Sequence, residues 1–225
     1  MKNIIFLLAV GLLTGCVTPP QKPVAMEQNY LQKGAKKVGV IMTEIPKPDV
    51  HLPGAACLLC IAAAEIGNSS LSDHVDTLIP DDFKLVESDL IKQLKAKKVD
   101  VVAIKDRLKL SELNEFDSNM EGAPRHDYRE LRNKYGVNHL LVIDINEIGM
   151  IRKYSNYIPV DDPRAVVNGV SYLVDLSNNT FKWYKHIKVN KSASGNWDEP
   201  PSFPALTNAY YQAIETGREM ILTEF

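Results

Sequence analysis

The sequence lacks a strong charge of either sign, a membrane-spanning hydrophobic run and any motif for catalysis. Its 26 basic and 28 acidic residues give a formal net charge of −2, which argues against nucleic-acid binding because that needs a strongly basic patch. The apolar run at 4–13 is shorter than the roughly 20 residues of a spanning helix. No glycine-rich phosphate loop, nucleophile elbow or internal repeat is present, so the chain shows no common enzyme signature.

The first sixteen residues, MKNIIFLLAVGLLTGC, have the three parts of a secretory signal. Lys2 gives a basic start, an apolar run follows, and the small residues Thr14 and Gly15 precede Cys16. We therefore predict a signal peptide over 1–15. An ordinary secreted protein in which Cys16 occurs by chance is the alternative interpretation.

The ending LTGC resembles the lipobox of bacterial lipoproteins. The resemblance implies cleavage behind Gly15 and lipidation of Cys16, which in that family carries three acyl chains, palmitate among them. One acyl chain binds a membrane only marginally, and additional chains make the anchor stable. Because Val17 rather than Asp follows Cys16, the resemblance implies a lipid anchor in the outer membrane, with the protein facing the periplasm.

Composition divides the rest of the chain into a tether and one domain. Residues 16–35 begin with a proline-rich stretch and show no sustained hydrophobic period, so we predict a flexible tether behind the lipidated cysteine. Residues 36–225 are long enough for a single domain with its own core. Within that domain, 46–80 is a long connection behind the first strand, and we treat it as an insertion.

Strand and helix patterns alternate along the domain. We predict strands near 37–45, 99–104 and 139–146, helices within 79–98, 126–136 and 203–225, and a hairpin of two strands around the turn SNNT. Crossover helices between the early strands imply parallel neighbours, and the hairpin is antiparallel. The predicted fold class is α/β, a mixed β-sheet with helices packed against it in the order β-α-β-α-β-β-β-α.

This order, together with YGVNHLLVIDIN and the aromatic hairpin LVDLSNNTFKWYK, resembles the amino-terminal domain of TolB. The same module occurs in CsgG-type curli secretion lipoproteins and in LpoB-type activators of penicillin-binding proteins. The resemblance covers most of 37–222 and implies a role in the envelope through a protein partner or a homo-oligomer. The sequence departs from these families at the insertion, and a shared fold does not by itself carry a function.

The insertion contains the stretch GAACLLCIAAAEIG, in which Cys57 and Cys60 form a C-x-x-C pair. A redox site would use a low-pKa cysteine near a helix N-terminus, but the Leu-Leu spacer and the absence of a thioredoxin-like strand order argue against it. A zinc site would need His51 and His74 as further ligands, and their spacing is irregular. We expect no metal and no cofactor.

The alanines and leucines of this stretch favour a helix. We predict a small-residue helix that packs either on its own domain or on a partner, with Cys57 and Cys60 as buried thiols or a local disulfide. Other candidates are weaker, because Asp144 and Glu147 are separated carboxylates for which we favour a structural role.

Two functions follow from the sequence. The first is a non-enzymatic envelope lipoprotein that acts as an assembly or interaction module at the outer membrane, held by its lipid anchor and bound to an envelope protein or to copies of itself. The second is a periplasmic thiol or redox protein centred on Cys57 and Cys60. The missing catalytic motifs favour the first.

Overall fold

A mixed sheet organises the domain in the computed structural model, which describes residues 20–33, 36–117 and 122–225. The strands of this sheet and of a separate small hairpin are β1 (Lys37–Met42), β2 (Asp49–His51), β3 (Asp100–Arg107), β4 (His139–Ile151), β5 (Tyr154–Ser155), β6 (Ile158–Pro159), β7 (Arg164–Asp175) and β8 (Thr180–Ser192). The helices are α1 (Leu58–Gly67), α2 (Ser69–Val75), α3 (Asp81–Ala96), α4 (Leu131–Tyr135) and α5 (Pro204–Leu222), with a short 3₁₀ helix at Leu110–Glu112.

The sheet has the order β3-β1-β4-β7-β8, and β2 pairs with the far half of β4. Strand β1 is parallel to both β3 and β4, whereas β4, β7 and β8 are antiparallel neighbours. The predicted fold class is therefore confirmed. The additional elements, β2, α1 and α2, lie in the insertion, and the β5–β6 hairpin lies in the connection between β4 and β7.

Two boundaries differ from the prediction for identifiable reasons. Strand β4 continues to Ile151 because its second half pairs with both β2 and β7. Helix α4 begins only at Leu131, since the backbone of His126 and Tyr128 is hydrogen-bonded to the side chain of Asn179 instead of to a helical turn. The helix ends as predicted at Gly136, whose φ of 62° is left-handed.

The larger core lies between the sheet and helices α3 and α5. Both helices present the apolar stripe that their sequences predict, because residues three and four apart share one helical face. The buried side chains of the two stripes are Phe83, Val86, Leu90, Leu94, Leu206, Tyr210, Ile214 and Ile221. On the opposite face of the sheet, α4 and the loop before it cover a smaller core that includes Tyr128 and Tyr172, whose hydroxyls lie 2.7 Å apart.

The insertion is divided between core and surface. Helix α2 belongs to the larger core, where Leu71 and Val75 are buried, and the ring of His74 bonds the hydroxyl of Thr207 on α5 at 2.7 Å. Burial lowers the pKa of His74, so this ring stays neutral at neutral pH. Helix α1, in contrast, buries only Cys60 and Ala64.

The described part of the predicted tether, 20–33, contacts the domain. Val24 exchanges two backbone hydrogen bonds of 2.9 Å with Tyr184 of β8, and Leu31 is buried. The Tyr30 hydroxyl lies 2.8 Å from Nε2 of His139. The predicted signal peptide and Cys16 lie outside the described residues, so their role remains a prediction. Within the described ranges, no helix combines the length and apolarity that crossing a membrane requires.

Candidate functional site

Helix α1 forms in the stretch where the sequence predicts a small-residue helix. Cys57 is its N-cap, with extended backbone angles (φ −118°, ψ 155°), and its Sγ accepts a hydrogen bond of 3.0 Å from the backbone N–H of Cys60. Leucine and alanine then continue the helix at little conformational cost. It ends at Asn68, whose backbone N–H bonds the carbonyls of Glu65 and Ile66.

The two cysteines meet at the start of this helix. Their Sγ atoms lie 2.15 Å apart, within bonding distance, with Leu58 and Leu59 in the short loop between them. Cys57 is exposed, and Cys60 is buried. The predicted local disulfide stays a prediction, which titration of free thiols in the purified protein tests.

The apolar side chains of α1 point into solvent. Leu58 is 88% exposed, Leu59 is 83% exposed and Ile66 is 76% exposed, while only Cys60 and Ala64 of the helix are buried. A recess of about 660 Å³ lies between the helix and β2, and its lining includes Ile61 of α1 and Val50 of β2. The helix therefore does not cover a face of the sheet, and its leucines contribute little to the core.

A second exposed apolar group lies on the β5–β6 hairpin. Tyr157 is 67% exposed, and Ile158 and Val160 are also exposed. We call these side chains together with those of α1 the apolar patch, which comprises Leu58, Leu59, Ile61, Ile66, Tyr157, Ile158 and Val160. Monomeric soluble proteins seldom expose apolar groups in this way unless they serve an interaction.

The two parts of the apolar patch are joined by backbone contacts. The N–H of Tyr154 donates to the carbonyl of Pro53 at 2.8 Å, and the N–H of Asn156 donates to that of Gly54 at 3.0 Å. Gly54 has a φ of +93°, and a Cβ there would lie 1.9 Å from the Tyr154 carbonyl oxygen. Glycine is thus required for the close approach of the two segments.

Asn68 is a buried polar anchor between the same segments. Its amide nitrogen donates to the carbonyl of Ala64 at 2.6 Å and to the hydroxyl of Tyr154 at 2.7 Å. Its amide oxygen accepts from the guanidinium of Arg152 at 3.0 Å. Arg152 also lies over the ring of Trp197, 4.6 Å from its centroid. Because every one of these groups is paired, the patch is held in a defined geometry.

The structure does not assemble the alternative zinc site. His51 lies 3.8 Å from the carboxylate of Glu147, whereas His74 bonds Thr207 on α5, and the cysteine sulfurs lie against each other. Among the described residues, no group of three or more histidine, cysteine, aspartate or glutamate side chains is placed to hold a metal ion.

The carboxylates Asp144 and Glu147 have separate partners. The hydroxyl of Thr43 donates to Asp144 at 2.9 Å, and burial raises the pKa of this carboxyl above its usual value. Glu147 accepts from the amide of Asn168. Asp144 and Glu147 line different recesses, and the structural role that we favour for both stays a prediction.

Sequence reasoning missed the β5–β6 hairpin and the anchoring residues Asn68 and Arg152. The hairpin had a usable signal in YSNYIPV, since Asn156 takes a left-handed φ of 59° between two short strands, as asparagine does in tight turns. Asn68 had no such signal, because a polar residue after an apolar helix is equally consistent with an exposed capping residue.

Comparison with known proteins gives no family for this chain. No family model matches it, and no curated protein does. Among solved structures it is similar to a PelC dodecamer from Paraburkholderia phytofirmans, with 15% identity, a TM-score of 0.29 and coverage of 82% of this chain and 88% of that one. It is also similar to protein XCC0632 from Xanthomonas campestris, with 11% identity, a TM-score of 0.36 and coverage of 92% and 94%. A third is lipoprotein GNA1162 from Neisseria meningitidis, with 12% identity, a TM-score of 0.26 and coverage of 79% and 98%.

Proposed function

We propose that the protein is a non-enzymatic lipoprotein of the outer membrane that acts as an interaction module, docking on another envelope component through its apolar patch. The observation that carries this proposal is the exposure of Leu58 and Leu59 on a helix whose geometry is fixed by Asn68 and Gly54. Side chains that the fold holds rigidly but does not bury are available for binding.

The free energy gained by burying the apolar patch supports this docking role. Burying a leucine or isoleucine side chain is worth about 1.5–3 kcal/mol relative to leaving it in water. The patch contains four such residues on α1 alone, namely Leu58, Leu59, Ile61 and Ile66. Several of them buried together would stabilise a complex without any reorganisation of the domain, because the patch is already ordered.

Lipidation at Cys16 is the second part of the proposal. It is supported by the signal-like start of the chain and by the LTGC ending in front of Val17. We expect Cys16→Ser to release the protein or stall its precursor, and the native protein to lose mass on delipidation. Unchanged membrane fractionation of the variant, without such a mass loss in the native protein, would contradict the anchor.

The docking role is tested by crosslinking in intact cells. A photo-crosslinking amino acid at position 59 should form adducts with an envelope protein, a second copy of the chain or a lipid. The matched control is position 85, since Leu85 lies on the surface of α3 and is 50% exposed, outside the patch. Absence of every adduct at 59, in protein that fractionates normally, would overturn the proposal.

A thiol-exchange function is the second candidate, and one observation favours it. Cys57 is exposed at a helix N-terminus while Cys60 is buried, and reactive cysteines are often partly exposed at such positions. A redox protein would exchange disulfides with glutathione, and Cys57→Ala would abolish that exchange. We expect no such activity, because the pair is set in an apolar segment without a charged residue between 54 and 64.

A further inference from the structure

We propose that the envelope component contacted by the apolar patch is the lipid surface that holds the acyl chains of Cys16. This inference rests on the proposed function and names the partner of the same surface.

The N-terminal segment runs along β8 toward one end of the sheet. Val24 pairs antiparallel with Tyr184, and the carbonyl of Gln21 lies 2.9 Å from the ring nitrogen Nε2 of His186. Going back along the chain from Val24 to Gln21 therefore follows β8 in the direction of Ser192.

The same end of the sheet carries the apolar patch. Ser192 pairs with Arg164, Arg164 pairs with Ile151, and Ile151 pairs with His51. The β5–β6 hairpin follows directly after Ile151, and α1 begins shortly after His51. Both halves of the patch therefore emerge at the end of the sheet toward which the N-terminal segment leads.

The length of the chain agrees with this placement. Cys16 precedes Gln21 by five residues, a segment that spans at most about 17 Å when fully extended. The strand from His186 to Ser192 covers about 20 Å. Acyl chains on Cys16 would therefore hold the membrane within reach of the end of the sheet that carries the patch.

The patch has the composition of a membrane-interface contact. Leu58 and Leu59 project together from the start of α1, and the β5–β6 hairpin projects Tyr157 beside Ile158. Tyrosine suits the membrane interface because its ring is apolar and its hydroxyl stays hydrated. An apolar helix face of this kind lies about 5–10 Å into the boundary between headgroups and acyl chains.

The charges near the patch are balanced, so the contact needs no anionic lipid. On α1 and the hairpin connection, Arg152, Lys153 and Arg164 are accompanied by the same number of acidic residues, Glu65, Asp161 and Asp162. The side chain of Asp161 pairs with Arg164, at 2.5 Å, and also accepts from the backbone of Lys153. We expect binding to be equal on zwitterionic and anionic vesicles and insensitive to salt, since only the apolar term contributes.

The test uses the lipidated full-length protein in phosphatidylcholine vesicles whose acyl chains carry bromine quenchers. A fluorophore is attached to Ile158→Cys in the patch or, as the matched control, to Leu85→Cys on α3. We expect quenching at 158 to exceed that at 85 about tenfold, because a side chain in the interface reaches the quenchers. Introducing Leu58→Glu with Leu59→Glu should reduce the quenching at 158 to the level at 85.

The outcomes separate the inference from the proposed function. Equal quenching at 158 and 85, in protein that the vesicles retain, would overturn the lipid contact. The docking role would then stand if position 59 crosslinks to a protein or to a second copy. Protein that the vesicles do not retain at all would overturn the lipid anchor and with it both proposals.

Discussion

Helices α1 and α3 use apolar residues in opposite ways. In α3, 16 residues long, the apolar positions Phe83, Val86, Leu90 and Leu94 are buried and the lysines face water. In α1, 10 residues long, nearly every residue is apolar, yet only Cys60 and Ala64 are buried. The comparison shows that the apolar content of a helix does not determine its burial, whereas its periodicity does.

The difference also separates folding from function. Leu90 and Leu94 of α3 are buried in the larger core and stabilise the domain, so their burial explains why they are there. The leucines of α1 have no such explanation inside the domain. What holds α1 in place is a small set of polar and backbone contacts at Asn68 and Gly54, which leaves its apolar side chains available.

The largest expected effect compares one leucine from each helix. Leu90→Ala should lower the free energy of unfolding by about 2–5 kcal/mol, because Leu90 is fully buried and its truncation leaves a cavity. Leu59→Ala should change it by less than about 0.5 kcal/mol, because that side chain is exposed. Urea denaturation of the two variants measures both values. Similar losses in the two variants would mean that α1 belongs to the core after all.

A smaller effect is expected at the contact that holds α1. Asn68→Ala removes the hydrogen bonds to Ala64, Tyr154 and Arg152, and it leaves the hydroxyl of Tyr154 without this partner. We expect a loss of about 1–3 kcal/mol, the usual consequence of removing one partner from a buried polar network. Ser70→Ala, on an exposed position of α2, is the control and should be neutral.

Amide hydrogen exchange shows where that loss is located. If Asn68 anchors α1 alone, exchange in Asn68→Ala should accelerate along α1 and in the β5–β6 hairpin while α3 keeps its protection. Uniform acceleration over the whole domain would show instead that α1 and α3 unfold as one unit.

The parts of the fold that were predictable are those with a regular period. The stripes of α3 and α5, the apolar run of β4 and the hairpin around SNNT each repeat at a helical or strand spacing, and the mixture of parallel and antiparallel strands followed from them. The pairing of β2 with β4 was not predictable, because a strand of three residues is too short to show a hydrophobic alternation.

The candidate site was predictable only in part. The sequence indicated a helix with two cysteines at its start, but a uniformly apolar helix fits a buried and an exposed position equally well. Only the three-dimensional contacts of Asn68, Arg152 and Gly54 distinguish the two. These contacts join residues that are about eighty or more positions apart in the chain, where local patterns carry no information.

The smallest expected effect lies at the start of α1. Cys57→Ser and Cys57→Ala both remove the predicted disulfide to Cys60, so any effect of that loss is common to the two variants. Serine still offers an oxygen to the N–H of Cys60, as Sγ of Cys57 does at 3.0 Å, whereas alanine offers no acceptor. We therefore expect the serine variant to keep α1 more stable by about 0.5–1 kcal/mol. Since α1 is fixed to the domain mainly through Asn68, the difference should be seen in the amide exchange of α1 and not in global unfolding. A difference of the same size between the urea midpoints of the two variants would instead couple α1 to the core and remove the distinction between α1 and α3.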